Sequence, residues 1–190
     1  RLRELLGSAA KSQDSVLVSE VIGIDPDPAS QNILIDKGET DGVFEKQTVI
    51  DSSGLVGQVI EVSKQYSRVM LITDLNSFVP VAVLRNNLRL MLQGMGMSEK
   101  LQLLHVNPTA DIRVGDLLIS SGLGERFPAG YPVGSINAID YVEGRPFVDV
   151  TATPKSGLDR SQHLLLVFSE NSASVAENGQ APLEASRFAD

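Results

Sequence analysis

A short phrase written twice constrains this chain more than any other feature. Val49-Ile50-Asp51-Ser52-Ser53-Gly54-Leu55-Val56-Gly57-Gln58-Val59-Ile60 returns, after one deletion and one insertion, as Leu118-Ile119-Ser120-Ser121-Gly122-Leu123 and then Val133-Gly134-Ser135-Ile136. Each copy is an aliphatic pair, a Ser-Ser-Gly turn and a second apolar segment with a glycine one residue in, which is how two strands joined by a turn are spelled. The match continues upstream. Gly42-Val43-Phe44-Glu45-Lys46-Gln47-Thr48-Val49-Ile50 lies against Asp111-Ile112-Arg113-Val114-Gly115-Asp116-Leu117-Leu118-Ile119, with Lys46 standing where Gly115 stands in the other copy. Two copies at unequal spacing do not make a solenoid, which needs about three stacked repeats. They predict two sister β-units, each a small barrel or sandwich half.

The rest of the chain agrees with an all-β reading. Short runs rich in Val, Ile and Leu predict strands from Val16 to Phe168. Turn formers such as Asp25-Pro26-Asp27-Pro28, Lys37-Gly38, Asn86-Asn87, Gly94-Met95-Gly96 and Glu143-Gly144 separate them. No long amphipathic helix follows Gly7, which argues against a βαβ sheet. Arg1 to Leu6 place Leu2, Leu5 and Leu6 at helical spacing, so residues 1–15 read as the end of a helix and a linker. So short a helix is unstable alone, and a chain that opens on Arg1 reads as a piece of something longer. Residues 170–190, rich in Ser, Ala and Glu, read as a flexible tail. The strand at Leu164 to Phe168 has no counterpart in the internal repeat and must pair somewhere. The predicted organisation is therefore a discontinuous first β-domain, 16–62 plus 145–169, with a second, 63–144, inserted into it; a simple split near Lys64 is the alternative.

Composition bounds the chemistry. A chain of 190 residues, 42% of them hydrophobic, can bury about 70% of its unfolded surface and hold a real core. A net charge of −8 has the wrong sign for phosphate backbones or anionic lipid, so no nucleic-acid partner is expected. With no Cys, thiolate metal sites and cysteine nucleophiles are excluded. No apolar run is long enough to span a membrane, and no signal-peptide pattern opens the chain.

Catalysis finds little support in the residues. A nucleophilic serine needs an oriented base, and His105 and His163 both sit in strand-like sequence. The Ser-Ser-Gly turns occur in both copies, whereas a catalytic serine is wanted once. Asp25 and Asp27 alternate with prolines in an exposed turn without the spacing of a cation loop. Gly94-Met95-Gly96 lacks the lysine and following helix of a phosphate cradle. Arg85 and Arg89 read as a small solvated basic spot. No catalytic, cofactor-binding or metal-binding residue is predicted, and no cofactor.

Association leaves a clearer trace. The second copy carries an insertion, Gly124 to Pro132, with Phe127 and Tyr131 in a chain that is only 5% aromatic. One reading has both rings closing the end of a barrel; the sharper reading makes them an exposed docking ridge. On the second reading the partner-binding candidates are Phe127, Tyr131, Tyr66, Phe78 and Leu123, lining a groove between the domains, and Tyr131→Ala weakens association without unfolding the chain.

Several phrases in order resemble a known family. They include Lys37-Gly38, Gly42-Val43, Gly54-Leu55-Val56-Gly57-Gln58-Val59, Ser67 through Ser77, Val79-Pro80-Val81, Gly94-Met95-Gly96, Asp111 through Asp116, Ser120 through Gly124, Phe127 through Gly134 and Leu158-Asp159-Arg160. From about Asn32 to Phe168 the chain resembles the extracytoplasmic region of the bacterial rod shape-determining MreC family. That resemblance implies two related β-barrel-like domains akin to chymotrypsin-like halves without catalytic residues, preceded by a coiled coil that ends near Leu6. It implies a non-enzymatic scaffold of the cell-elongation machinery, periplasmic and held at the inner membrane by an N-terminal anchor missing from this chain. The implied partners are the protein itself, the elongation-specific penicillin-binding transpeptidase, MreD and RodZ. A serine-protease-like hydrolase and a peptidoglycan-binding β-module are the rival readings.

Overall fold

The computed structural model describes residues 15–27, 30–157 and 162–168. The helix end and linker expected over 1–15, except Ser15, lie outside the described residues, as do the tail expected over 170–190 and the Leu158-Asp159-Arg160 motif. Twelve strands form the described protein: β1 (Ser15–Ile24), β2 (Asn32–Ile35), β3 (Thr48–Ile50), β4 (Leu55–Val62), β5 (Ser67–Leu71), β6 (Phe78–Val83), β7 (Arg89–Gly94), β8 (Leu101–Val106), β9 (Leu117–Ser120), β10 (Pro132–Asp140), β11 (Val148–Pro154) and β12 (His163–Phe168). Short 3₁₀ turns occur at Glu39–Asp41, Gly96–Ser98 and Leu123–Glu125. The strands close into two antiparallel barrels of six. In cyclic order the first is β1-β12-β3-β4-β5-β2 and the second β10-β11-β8-β7-β6-β9.

This topology moves both expected domain boundaries. β5 belongs to the first barrel and not to the second domain expected over 63–144, and β11 belongs to the second barrel and not to the first domain expected over 145–169. Both strands are hairpin partners of the strand before them, β4·β5 and β10·β11. The tight turn in which the Ser63 N–H donates to the Tyr66 carbonyl holds β5 against β4 and rules out a split at Lys64. The chain crosses between barrels after Leu71 and again after Pro154.

The written repeat is a structural one. Val49 pairs with Gly57 and Ile50 with Leu55; Leu118 pairs with Gly134 and Ile119 with Pro132, each across the same register irregularity. Further along, β4 is irregular between Val59 and Glu61 and β10 between Ile136 and Ala138, at equivalent positions. Gly57 and Gly134 have a common reason. A Cβ at Gly57 would collide with the Met70 carbonyl oxygen, and one at Gly134 would stand 2.7 Å from the Thr153 carbonyl oxygen, on the next strand in each barrel.

Extending these pairs round both barrels aligns β12 with β6, β1 with β7, β2 with β8 and β5 with β11. The barrels are circular permutations of one another: the strand that opens the second barrel closes the first. β12 pairs with β1 and β3 as β6 pairs with β7 and β9.

The turn before each repeat shows what a duplicated backbone tolerates. The Lys46 N–H donates to the Val59 carbonyl (2.8 Å) and the Gly115 N–H to the Ile136 carbonyl (2.7 Å). Both residues are left-handed, Lys46 at φ 70° and Gly115 at φ 96°. The backbone thus demands the same conformation from a lysine that glycine adopts without penalty. Next to them, Gln47 and Asp116 are both buried, each accepting a hydrogen bond from the backbone N–H three residues earlier, Phe44 (3.3 Å) and Arg113 (2.8 Å).

These two residues close their barrels by different chemistry. Gln47 Nε2 donates to the Val167 carbonyl on β12 (3.3 Å). Asp116 takes Arg85, which follows β6, in two parallel bonds of 3.0 Å, and Arg85 Nη1 also reaches Asp111 at 3.1 Å. Arg85 is therefore a clamp between β6 and β9 rather than the solvated basic spot expected. The guanidinium holds the Asp116 carboxyl below the usual carboxylate range against the opposing effect of burial. Asp111 is lowered too, but its side chain is well exposed and adds little to stability.

Two outcomes follow from the paired turns. Lys46→Gly relieves the left-handed strain and raises stability by about 1 kcal/mol, and Gly115→Ala lowers it by a similar amount, both read from urea unfolding midpoints. Asp116→Asn costs about 2 kcal/mol at neutral pH, the scale of charge-assisted hydrogen bonds. Because the folded Asp116 pKa is depressed, that advantage is fully present above the ordinary value of 3.8 and is lost as pH falls through the lower folded value. Thermal melts of the two proteins therefore stay apart down to about pH 4 and converge only as the pH falls further.

Candidate partner-binding surface

The barrels share one apolar cluster. Ile50, Leu55, Ile72, Leu165 and Val167 from the first-barrel segments join the interior of the second barrel, with Val16 and Val18 of β1 packed against them. β12 supplies both sides of this arrangement. Leu164 and Leu166 fill the first barrel, while Leu165 and Val167 face the shared cluster. All four are buried, which accounts for an unbroken aliphatic run where a half-exposed strand alternates.

Polar contacts sharpen the junction. The buried Asp51 carboxylate accepts the N–H groups of Ser53 (2.8 Å) and Gly54 (3.0 Å) through Oδ1 and that of Gly157, beyond the second barrel, through Oδ2 (2.9 Å). Gly54 faces Pro132 so closely that a Cβ would collide with its carbonyl oxygen. Gln58 Nε2 donates to the Arg126 carbonyl (3.4 Å). At the matching position of the second copy, Ser120 Oγ donates to the Pro128 carbonyl (2.6 Å) and accepts the Tyr131 N–H (2.9 Å).

The insertion is folded inward by these bonds. Phe127 and Tyr131 are 4% and 5% exposed and belong to the shared cluster. They are not a docking ridge; they close the barrel end, because a loop pinned at Ser120 on both sides of Gly130 turns its two rings toward the core. Tyr131→Ala is accordingly a stability mutation.

The three remaining candidates are exposed and stand on separate elements: Tyr66 in the β4–β5 turn, Phe78 at the start of β6 and Leu123 in the 3₁₀ turn of the insertion. Phe78 is linked through its strand partner to exposed apolar residues. Phe78 pairs across with Gln93, whose Nε2 donates to the Leu75 carbonyl (2.8 Å), and the Leu75 side chain packs over Gly96, next to Met97. Leu75 and Met97 are 51% and 74% exposed. A second exposed group gathers at the β10–β11 turn, with Tyr141, Val142 and Phe147, the last edge-on to His105 at 5.0 Å. Sequence reading missed Leu75, Met97 and Tyr141. The available signal was bulky apolar residues within or close to turn formers, Asp74-Leu75-Asn76, Gly94-Met95-Gly96 and Glu143-Gly144.

Among the described residues the serines and histidines stand apart. Ser52, Ser53 and Ser121 stand in the turns of the repeat and Ser120 ends β9, where its side-chain hydrogen bonds run to backbone groups of the insertion. His105 and His163 are both exposed, His105 in a left-handed kink of β8 and His163 opposite Glu20 in β12. Asp25 is tied to Arg68 (2.6 Å) and to the Asp27 N–H (3.0 Å).

The model of the family described as "Rod shape-determining protein MreC, barrel core" matches residues 21–168, nearly the whole of the two barrels. The chain belongs to the MreC family. The "Cell shape-determining protein MreC" of Escherichia coli K12 is 43% identical over 183 residues, 96% of this chain and 48% of that one. The chain spans about half the length of the curated relatives it matches. The crystal structure of MreC from Pseudomonas aeruginosa is 54% identical, with a TM-score of 0.79 over 82% of this chain and all of that one. A solved complex between penicillin-binding protein PBP2 and MreC from Helicobacter pylori shares the fold, with a TM-score of 0.63 at 14% identity over 80% of this chain and 96% of that one. The curated relatives are named cell shape-determining proteins.

Two substitutions test the junction. Tyr131→Ala lowers unfolding free energy by about 3 kcal/mol, the scale of emptying an aromatic site in a core. Gly54→Ala costs about 2 kcal/mol by wedging the Pro132 backbone away, and a crystal structure of the variant shows the barrels displaced at that point.

Proposed function

We propose that this chain is the barrel module of a non-enzymatic scaffold in the bacterial cell-elongation machinery, where it binds the elongation-specific penicillin-binding transpeptidase. The observation that carries this reading is the family match over residues 21–168, nearly all of both barrels. The Helicobacter pylori complex adds that a distant relative of the same fold is held by a penicillin-binding protein. The module lies in the periplasm and is anchored to the inner membrane by an N-terminal segment of the full protein. Self-association through a coiled coil, and contacts with MreD and RodZ, complete the assembly.

A scaffold needs apolar surface that its own fold leaves uncovered. Phe78 with Leu75 and Met97 offers it, and Tyr66 and Leu123 are further candidate contacts. Aromatic side chains at the centre of such a contact commonly carry 2 kcal/mol or more. The test is binding of the purified periplasmic part of the elongation transpeptidase to the immobilised chain. Wild type binds; Phe78→Ser weakens binding about thirtyfold, which is 2 kcal/mol, while its melting temperature stays near wild type. No binding by the wild type, together with retention on peptidoglycan or turnover of peptide, overturns the scaffold reading.

A further inference from the structure

The chain builds its two barrels in different ways. β6 to β11 are consecutive, so every pairing of the second barrel falls within one unbroken stretch. The first barrel closes only when β12 reaches β1 and β3, and the contact of Ser19 Oγ with the Leu164 carbonyl joins residues 145 apart. Without β12, β1 and β3 are open edges and the interior lacks Leu164 and Leu166.

Closing so long a loop is unfavourable while the intervening chain is unfolded. A folded second barrel removes that obstacle, because both of its connections are held at the β3–β4 hairpin. On entry, the Ile72 N–H donates to the Val56 carbonyl (3.0 Å). On exit, the Gly157 N–H reaches Asp51 (2.9 Å), the residue after Ile50, and Ile50 is where Leu165 of β12 pairs.

We propose that the second barrel closes first and, by docking Gly157 on Asp51, delivers β12 as the strap that closes the first. Coupling then runs one way: weakening the second barrel loosens both, whereas weakening the β12 face inside the first barrel loosens that barrel alone. The equivalence of β12 and β6 explains the asymmetry, since in the second barrel the same strand leads and is connected directly to its neighbour.

Hydrogen exchange read by mass spectrometry on the full chain tests this. Leu164→Ala raises exchange tenfold or more in β1 to β5 and leaves β6 to β11 within about twofold; Val150→Ala, in the second-barrel interior, raises it in both. Equal loss in both barrels on Leu164→Ala, or an unaffected first barrel on Val150→Ala, overturns the proposal. Pulse labelling of wild-type refolding protects β6 to β11 before β1 to β5; simultaneous or reversed protection overturns it. Phe168 and Ser15 are paired neighbours, so a permuted chain joining them through a short turn makes the first barrel contiguous. In that chain Val150→Ala no longer affects the first barrel, and persisting dependence counts against the strap.

Discussion

The burial of β12 on both faces is the interaction from which the rest of the architecture follows. Leu164 and Leu166 enter the first barrel and Leu165 and Val167 enter the cluster shared with the second. Full burial of four such side chains is worth roughly 6–12 kcal/mol of apolar transfer as an upper bound. The net stability of a domain is of the same order, about 5–15 kcal/mol. The first barrel therefore cannot spare the strand, while the second barrel closes without it and gains apolar cover from it. It makes the two barrels one packed body, and Asp51 adds a polar tie between the β3–β4 turn and the exit from the second barrel.

Around that strand, duplication preserved backbone geometry more strictly than side-chain chemistry. Paired registers, strand irregularities and the left-handed turn recur in both barrels. Where only a hydrogen-bond acceptor is needed at the turn, Gln47 and Asp116 both serve. Where a carbonyl of the next strand approaches, both copies keep glycine, Gly57 and Gly134, because any Cβ there meets backbone that cannot move aside. Divergence went into barrel closure, a neutral amide on one side and an arginine–carboxylate clamp on the other, and into the insertion of the second copy.

The exposed surface is a residue of this packing. Phe127 and Tyr131 are consumed by the core, so the exposed apolar side chains stand near turns, with Leu75 and Phe78 at the entrance to β6, Met97 between β7 and β8, and Tyr141 and Phe147 at the β10–β11 turn. An aromatic residue in a polar loop is ambiguous in sequence. What decides its place is the hydrogen bonding of the loop, here Ser120 to Pro128 and Tyr131, and that pattern depends on residues brought together only when the barrel closes.

By itself the sequence determined local matters: strands with turns between them, two related units, the glycine inside each repeated strand and the family. Each rests on chemistry within a few residues, namely β-branched pairing, turn geometry and side-chain size. Only the tertiary structure decided that β5 and β11 stay with their hairpin partners, that β12 stands in the first barrel where β6 stands in the second, that Arg85 is clamped by Asp116 and that Tyr131 is buried. Those outcomes come from barrel closure, which joins residues far apart in the chain, and no local pattern encodes which distant strand supplies the missing edge.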